Sequence, residues 1–351
     1  MYFVNKKIKE LYRVKNHDCR KKIIRLDMNE NPQGLPLDFV EEIKEKITPE
    51  FLATYPEKDE LVELIAEHNK ITSEQVTVTA GSDEAMRLVF QCFGEEEKTV
   101  LTVTPTFEMY DIYSKMFGMK HKQIAYNENL QISVNEIIEN IDDNVGLIVL
   151  LNPNSPIGTI YTDDEFDKVL KKAKQFDAMV IVDEAYHYYY ENTVVSKIKD
   201  NNNLIVLRTF SKLCSIAGLR VGYAMSSKEN IKCIENAEST FNVNSVGLLF
   251  ATEVLKRPDI MRQIQQEEKE GHEWLEKQVT SAGYKFFSAK GNYLLIYPQK
   301  DSEVVVQELK KRNIWIRDYG SGRLKGWIRV STGRKTLMES FWRNFLEVDE
   351  L

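Results

Sequence analysis

The sequence predicts an α/β fold in which a large domain, built on a mostly parallel sheet flanked by helices, is joined to a smaller α+β domain. From about residue 76, short β-branched runs alternate with amphipathic stretches, and each change of period falls at turn residues. After residue 245 that alternation gives way to a long helical region and then a short mixed block of strands and helices. A chain of 351 residues that is 42% hydrophobic can bury a large core, and its length suits two domains. We assign residues 45–245 to the large domain, and 1–44 with 246–351 to the small one.

The elements follow in order. "QVTVTA" is a strand and "SDEAMRLVFQCF" the helix after it; "KTVLTVTP" is a second strand and "FEMYDIYSKMFG" a second helix. "VGLIVLLNP" and "AMVIVDEAY" are apolar enough to be strands buried on both faces. The helix between them, "TDDEFDKVLKKAKQFD", opens on Thr162 and Glu165 at capping-box spacing. "NLIVLRTF" closes the series. Beyond it come the helical region interrupted at Pro258, then "YKFF", "NYLLIY", a helix over "SEVVVQELKKRN", "IWIRDY", "WIRVST" and a final helix. In such a sheet the loops at the strand C-termini collect the chemistry.

Composition narrows the partners. A formal charge of -7, from 47 basic and 54 acidic side chains, gives no basic excess for a nucleic-acid backbone, so small molecules are expected instead. The N-terminal lysines precede no apolar leader core, and the run in "VGLIVLLNP" is far shorter than the roughly 20 residues of a membrane span. A cytoplasmic protein is expected. Cys19, Cys92, Cys214 and Cys233 form no CxxC and the five histidines form no HExxH pair, so neither a disulfide framework nor a metal site is indicated.

Four motifs carry chemistry. In "TAGSDEAM" a strand ends, Gly81 permits a tight turn, and Ser82, Asp83 and Glu84 open a helix whose N-terminus can take a phosphate. Alone this is equally a plain N-cap. "VDEAY" ends a buried strand on Asp183, a carboxylate that needs a cation or a proton; an arginine or a protonated ring nitrogen would serve. In "LLNPNSPIGTIY", a turn cluster after a strand, the Asn154 amide can donate to an acceptor in the same region.

"RTFSKLCSIAGLRVGY" is the fourth. It holds Lys212 and Arg220 in an otherwise buried-looking run with no carboxylate. A buried ammonium must snorkel to water or give up its charge in the service of a reaction, and a free amine can form a Schiff base with an aldehyde. Pyridoxal 5'-phosphate is the cofactor whose parts match: a phosphate for Gly81, Ser82, Thr209, Ser211 and Arg220, a ring nitrogen for Asp183, and an aldehyde for Lys212.

These residues resemble the fold-type I pyridoxal-phosphate aminotransferases, and among them the histidinol-phosphate aminotransferase group, over nearly the whole chain. "LDMNENPQG" is similar to that group's "NENP" segment, Tyr55-Pro56 to its "YPD" element, and "TFSKLCSIAGLRVGY" to its lysine signature. "WIRVSTG" resembles the segment with its substrate-binding arginine. The resemblance implies that Lys212 forms the Schiff base and moves the substrate proton, and that Asp183 keeps the ring nitrogen protonated. Tyr186 and Asn154 would bond the phenolic oxygen, and Tyr110, in "PTFEMY", would stack on the ring. Ser82, Asp83, Thr209, Ser211 and Arg220 would surround the phosphate, with Tyr55 reaching it from a neighbouring subunit, which implies a homodimer with shared sites. Arg329 would bind substrate carboxylate or phosphate, with Asn31 and Arg317 nearby.

The group's "NPNNPTG" stands here as "NPNSPIG", so Ser155 and Ile157 alter a border of the site and bear on substrate preference. The activity so implied is transamination between an amino donor, with histidinol phosphate first among phosphorylated and aromatic amines, and a 2-oxo acid such as 2-oxoglutarate. Two rivals remain at this point. Threonine-phosphate decarboxylases resemble the same segments, and a cofactor-binding regulatory module would keep the fold without catalysis, although no helix-turn-helix or basic stretch leads the chain.

Overall fold

The computed structural model describes residues 2–12, 19–288 and 290–350. Seven strands form one sheet in the order β2-β8-β7-β6-β5-β3-β4. They are β2 (Val76–Thr79), β3 (Thr99–Thr104), β4 (Lys120–Ala125), β5 (Val145–Leu151), β6 (Met179–Asp183), β7 (Leu204–Thr209) and β8 (Gly222–Met225). From β4 to β7 all neighbours are parallel, whereas β8 is antiparallel to both β7 and β2. The C-terminal ends of β2 and β7 therefore reach the same edge of the sheet as the start of β8.

The central strands read as continuous apolar runs because both faces are covered. Two buried clusters line those faces: one includes Ile148, Leu150, Val180 and Val206, and the other Leu147, Val149, Ile181 and Leu207. The odd and even positions of each strand thus part to opposite sides, as the pleat requires. The helix Asp163–Lys174 packs Phe166, Val169 and Leu170 into the first cluster, and its Thr162–Glu165 capping box forms as the spacing requires.

A second sheet of five strands has the order β1-β11-β12-β10-β9. It comprises β1 (Ile24–Leu26), β9 (Lys285–Ser288), β10 (Tyr293–Tyr297), β11 (Ile314–Asp318) and β12 (Ile328–Ser331). The N-terminal segment enters it through β1, which pairs in parallel with β11. A third apolar cluster, with Leu275, Leu294, Val330 and Phe341, joins this sheet to the helices Pro258–Ser281 and Lys335–Asp349. Among the described residues no helix is long and apolar enough to cross a membrane, and no group of three or more His, Cys, Asp or Glu could hold a metal.

Candidate active site

The lysine motif and the first helix of the large sheet meet at Gly222, the register partner of both Thr79 and Thr209. A β-carbon on Gly222 would lie 2.3 Å from the Ser82 backbone nitrogen, so only glycine lets the helix Gly81–Phe93 start this close to β8. Gly81, at φ +82°, turns the chain into that helix. Around this N-terminus the Thr209 hydroxyl donates to Ser211 Oγ at 2.9 Å, and Arg220 Nη1 donates to the same oxygen at 3.4 Å. Ser82 and Asp83 occupy the first turn, where unpaired backbone N–H groups and the helix dipole favour an anion. Asp83 itself accepts from the Tyr113 hydroxyl at 2.8 Å.

Asp183 ends β6 and is buried. Burial pushes its carboxyl up to about 6, against the opposing pull of the Tyr110 hydroxyl, the Ala185 amide and the Lys212 charge. The Tyr110 hydroxyl donates to it at 3.0 Å, a bond that the expected ring-stacking role did not anticipate. Burial, and then the Asp183 charge, hold that hydroxyl well above its ordinary range, so it remains a donor. Lys212 is half-buried; its ammonium donates to the Met28 carbonyl at 3.0 Å and lies 5.8 Å from the centre of the Tyr186 ring. The N-terminal segment thus crosses directly over the lysine.

Arg329, on β12, reaches the same place from the small sheet. Its Nη2 donates to the Asp27 carbonyl at 2.6 Å and its Nη1 to Ser155 Oγ at 3.3 Å, and its Nε is buried without a partner. Arg317, exposed on β11, is its direct cross-strand partner. The two guanidinium groups therefore leave the sheet on one face.

Three more of the expected residues have these surroundings. The Asn154 amide donates to the Pro105 carbonyl at 3.0 Å and the Tyr126 hydroxyl at 3.1 Å, and accepts from Thr106. Asn31 donates to Ser215 Oγ at 2.5 Å, and the two line a cavity of about 270 Å³ with Ser211. Tyr55 is 73% exposed and stacks on Phe241 with ring centroids 4.4 Å apart.

Sequence reasoning also passed over residues that the fold brings in. Asn29 donates to the Tyr186 hydroxyl at 2.8 Å, and Tyr293 packs edge-on against Tyr186 with centroids 5.4 Å apart. Asn29 lies in the quoted "NENP" stretch, but no periodicity tells which of its two asparagines points inward.

Comparison with known proteins identifies the family. The family model for aminotransferase class I and II matches residues 21–343. The histidinol-phosphate aminotransferase of Caldanaerobacter subterraneus subsp. tengcongensis is 32% identical over 311 residues, 88% of each chain. That of Clostridium botulinum (strain Okra / Type B1) is 30% identical over 327 residues, 92% of this chain and 90% of the other. Among solved structures, the Sinorhizobium meliloti histidinol-phosphate aminotransferase in complex with pyridoxal-5'-phosphate superposes with a TM-score of 0.88 at 20% identity, covering 99% of this chain and 97% of that one. These names favour transamination over the decarboxylase alternative. The chain belongs to the class I and II aminotransferases.

Proposed function

We propose that the protein is a pyridoxal-phosphate-dependent transaminase whose amino donor carries a phosphate or a second anionic group, with L-histidinol phosphate first, and whose acceptor is a 2-oxo acid such as 2-oxoglutarate. The observation that carries the donor class is the Arg317–Arg329 pair. Like charges directly opposite on one sheet face repel, and an anion between them relieves the repulsion.

The residues fit the cofactor. The cradle of Gly81, Ser82, Asp83, Thr209, Ser211 and Arg220 suits a phosphate. The buried Asp183 suits a ring N–H cation, which would draw its raised pKa back down and keep it ionised. When bound, pyridoxal phosphate supplies an aldehyde for Lys212 and a ring that withdraws electrons from the substrate.

The chain's own groups do the rest. Lys212 Nζ would move the proton from the substrate Cα to the cofactor carbon that carried the aldehyde. Tyr186 offers its hydroxyl to the cofactor's phenolic oxygen, and Tyr110 holds Asp183. Asn154 is the second residue that would bond that oxygen, exchanging one of its loop bonds for it, and Asn31 lines the small cavity beside Ser215. The reading also makes the protein a cytoplasmic homodimer: its four cysteines are free, and the Tyr55–Phe241 stack is an exposed aromatic surface suited to a second subunit.

A half-reaction tests the reading. The pyridoxal form is mixed with L-histidinol phosphate without any 2-oxo acid, and the cofactor is identified by mass. Conversion to pyridoxamine phosphate supports both the reaction and the donor; an unchanged cofactor rejects that donor.

A further inference from the structure

We infer that Asn29 is a positioning residue that fixes the direction of the Tyr186 hydroxyl, and that through Ser155 it couples Tyr186 to Arg329. This rests on the cofactor reading above.

Asn29 is 1% exposed and adopts φ +54°, a left-handed conformation that asparagine tolerates better than most residues. Its backbone N–H donates to Ser331 Oγ at 2.9 Å, while the Ser331 hydroxyl donates to Asn29 Oδ1 at 3.1 Å. Ser331 has only one proton to give. That donation holds Oδ1 toward Ser331 and leaves the NH₂ end of the amide toward Tyr186. That Nδ2 donates to the Tyr186 hydroxyl at 2.8 Å and faces Ser155 Oγ at 3.4 Å.

The consequence falls on Tyr186. Its oxygen accepts from Asn29, so its own proton is free to be donated elsewhere, toward the cofactor's phenolic oxygen. Ser155 Oγ meanwhile faces both Asn29 Nδ2 and Arg329 Nη1, which makes a polar line from Tyr186 to the arginine.

Asn29→Gly tests this, since glycine accepts the positive φ and removes only the amide. The readout is the pKa of the Lys212–cofactor linkage, titrated in the visible spectrum of the holoenzyme. A donor to the phenolic oxygen withdraws electron density from the linkage nitrogen, so weakening that donor raises the pKa. The expected rise is about 0.5–1 unit, and in a Tyr186→Phe background the same substitution should add less than about 0.2 unit. Ser331→Ala, which unlocks the amide, should shift the value in the same direction and serves if Asn29→Gly does not fold. An unchanged pKa, or an equal shift with and without the Tyr186 hydroxyl, overturns the inference alone. If the wild-type protein with pyridoxal phosphate gives no pH-dependent visible band, the cofactor reading itself fails and takes this inference with it.

Discussion

Arg220 closes over Gly81: a β-carbon placed on Gly81 would stand 2.7 Å from Arg220 Nη2. The absence of that one carbon lets a guanidinium and a helix N-terminus face the same anion. Gly81→Ala should push the arginine away and also strain a backbone at φ +82°. Losing one charge-assisted hydrogen bond of about 1.5–3 kcal/mol predicts pyridoxal-phosphate binding weakened by about 10–100-fold. A fluorescence titration of the apo-protein measures it, and unchanged affinity would take the phosphate away from this cradle.

Lys212→Ala should abolish turnover, by about a thousandfold or more, while leaving a folded protein that binds the cofactor without a covalent bond. The visible spectrum should be that of free pyridoxal phosphate held in a site. Full transaminase activity in this variant would mean that another amine does the chemistry.

The central strands were legible because they are buried on both faces. Val145–Leu151 and Met179–Asp183 are apolar almost throughout, and runs so short between turn residues suit a strand better than a helix. Lys120–Ala125 was invisible for the opposite reason: this edge strand is mostly exposed, and its sequence, KHKQIA, has no apolar face. Gly222–Met225 was hidden at the end of the lysine signature, where Lys212 and Arg220 outweigh a strand of four residues. In the site, Asp183 and Lys212 could be read because each is a charge in apolar company, whereas Arg329 came through the resemblance of its segment. The partners of the asparagines could not. Asn29, Asn31 and Asn154 differ in what they face only through backbone turns and the left-handed φ of Asn29, which composition does not encode.

Arg329→Ala should raise KM for an anionic donor by about 10–100-fold, the worth of its charged hydrogen bonds, with little change in the cofactor's spectrum. Arg317→Ala should have a smaller effect of the same kind, because that side chain is exposed. Steady-state kinetics with L-histidinol phosphate separates the two, and an unchanged KM for every anionic donor would remove Arg329 from the substrate site.

Glu268 gives a prediction that does not depend on the substrate. It is 7% exposed, accepts from the Thr332 hydroxyl, and is pushed by burial from 4.5 up to about 7. The folded state therefore holds its proton more tightly than the unfolded one, so this contribution to stability is present below pH 4.5 and is lost as pH rises through about 7. His272 lies one turn away, its Nδ1 3.9 Å from Glu268 Oε1, and burial lowers it to about 4; its contribution has the opposite sign and grows as pH rises toward 6.5. Glu268→Gln removes the first dependence and keeps the second. Thermal unfolding of the holoenzyme should show the variant gaining on the wild type between about pH 5 and about pH 8, by at most about 3 kcal/mol. An equal gap at the two pH values would mean that the buried carboxyl titrates as it would in water.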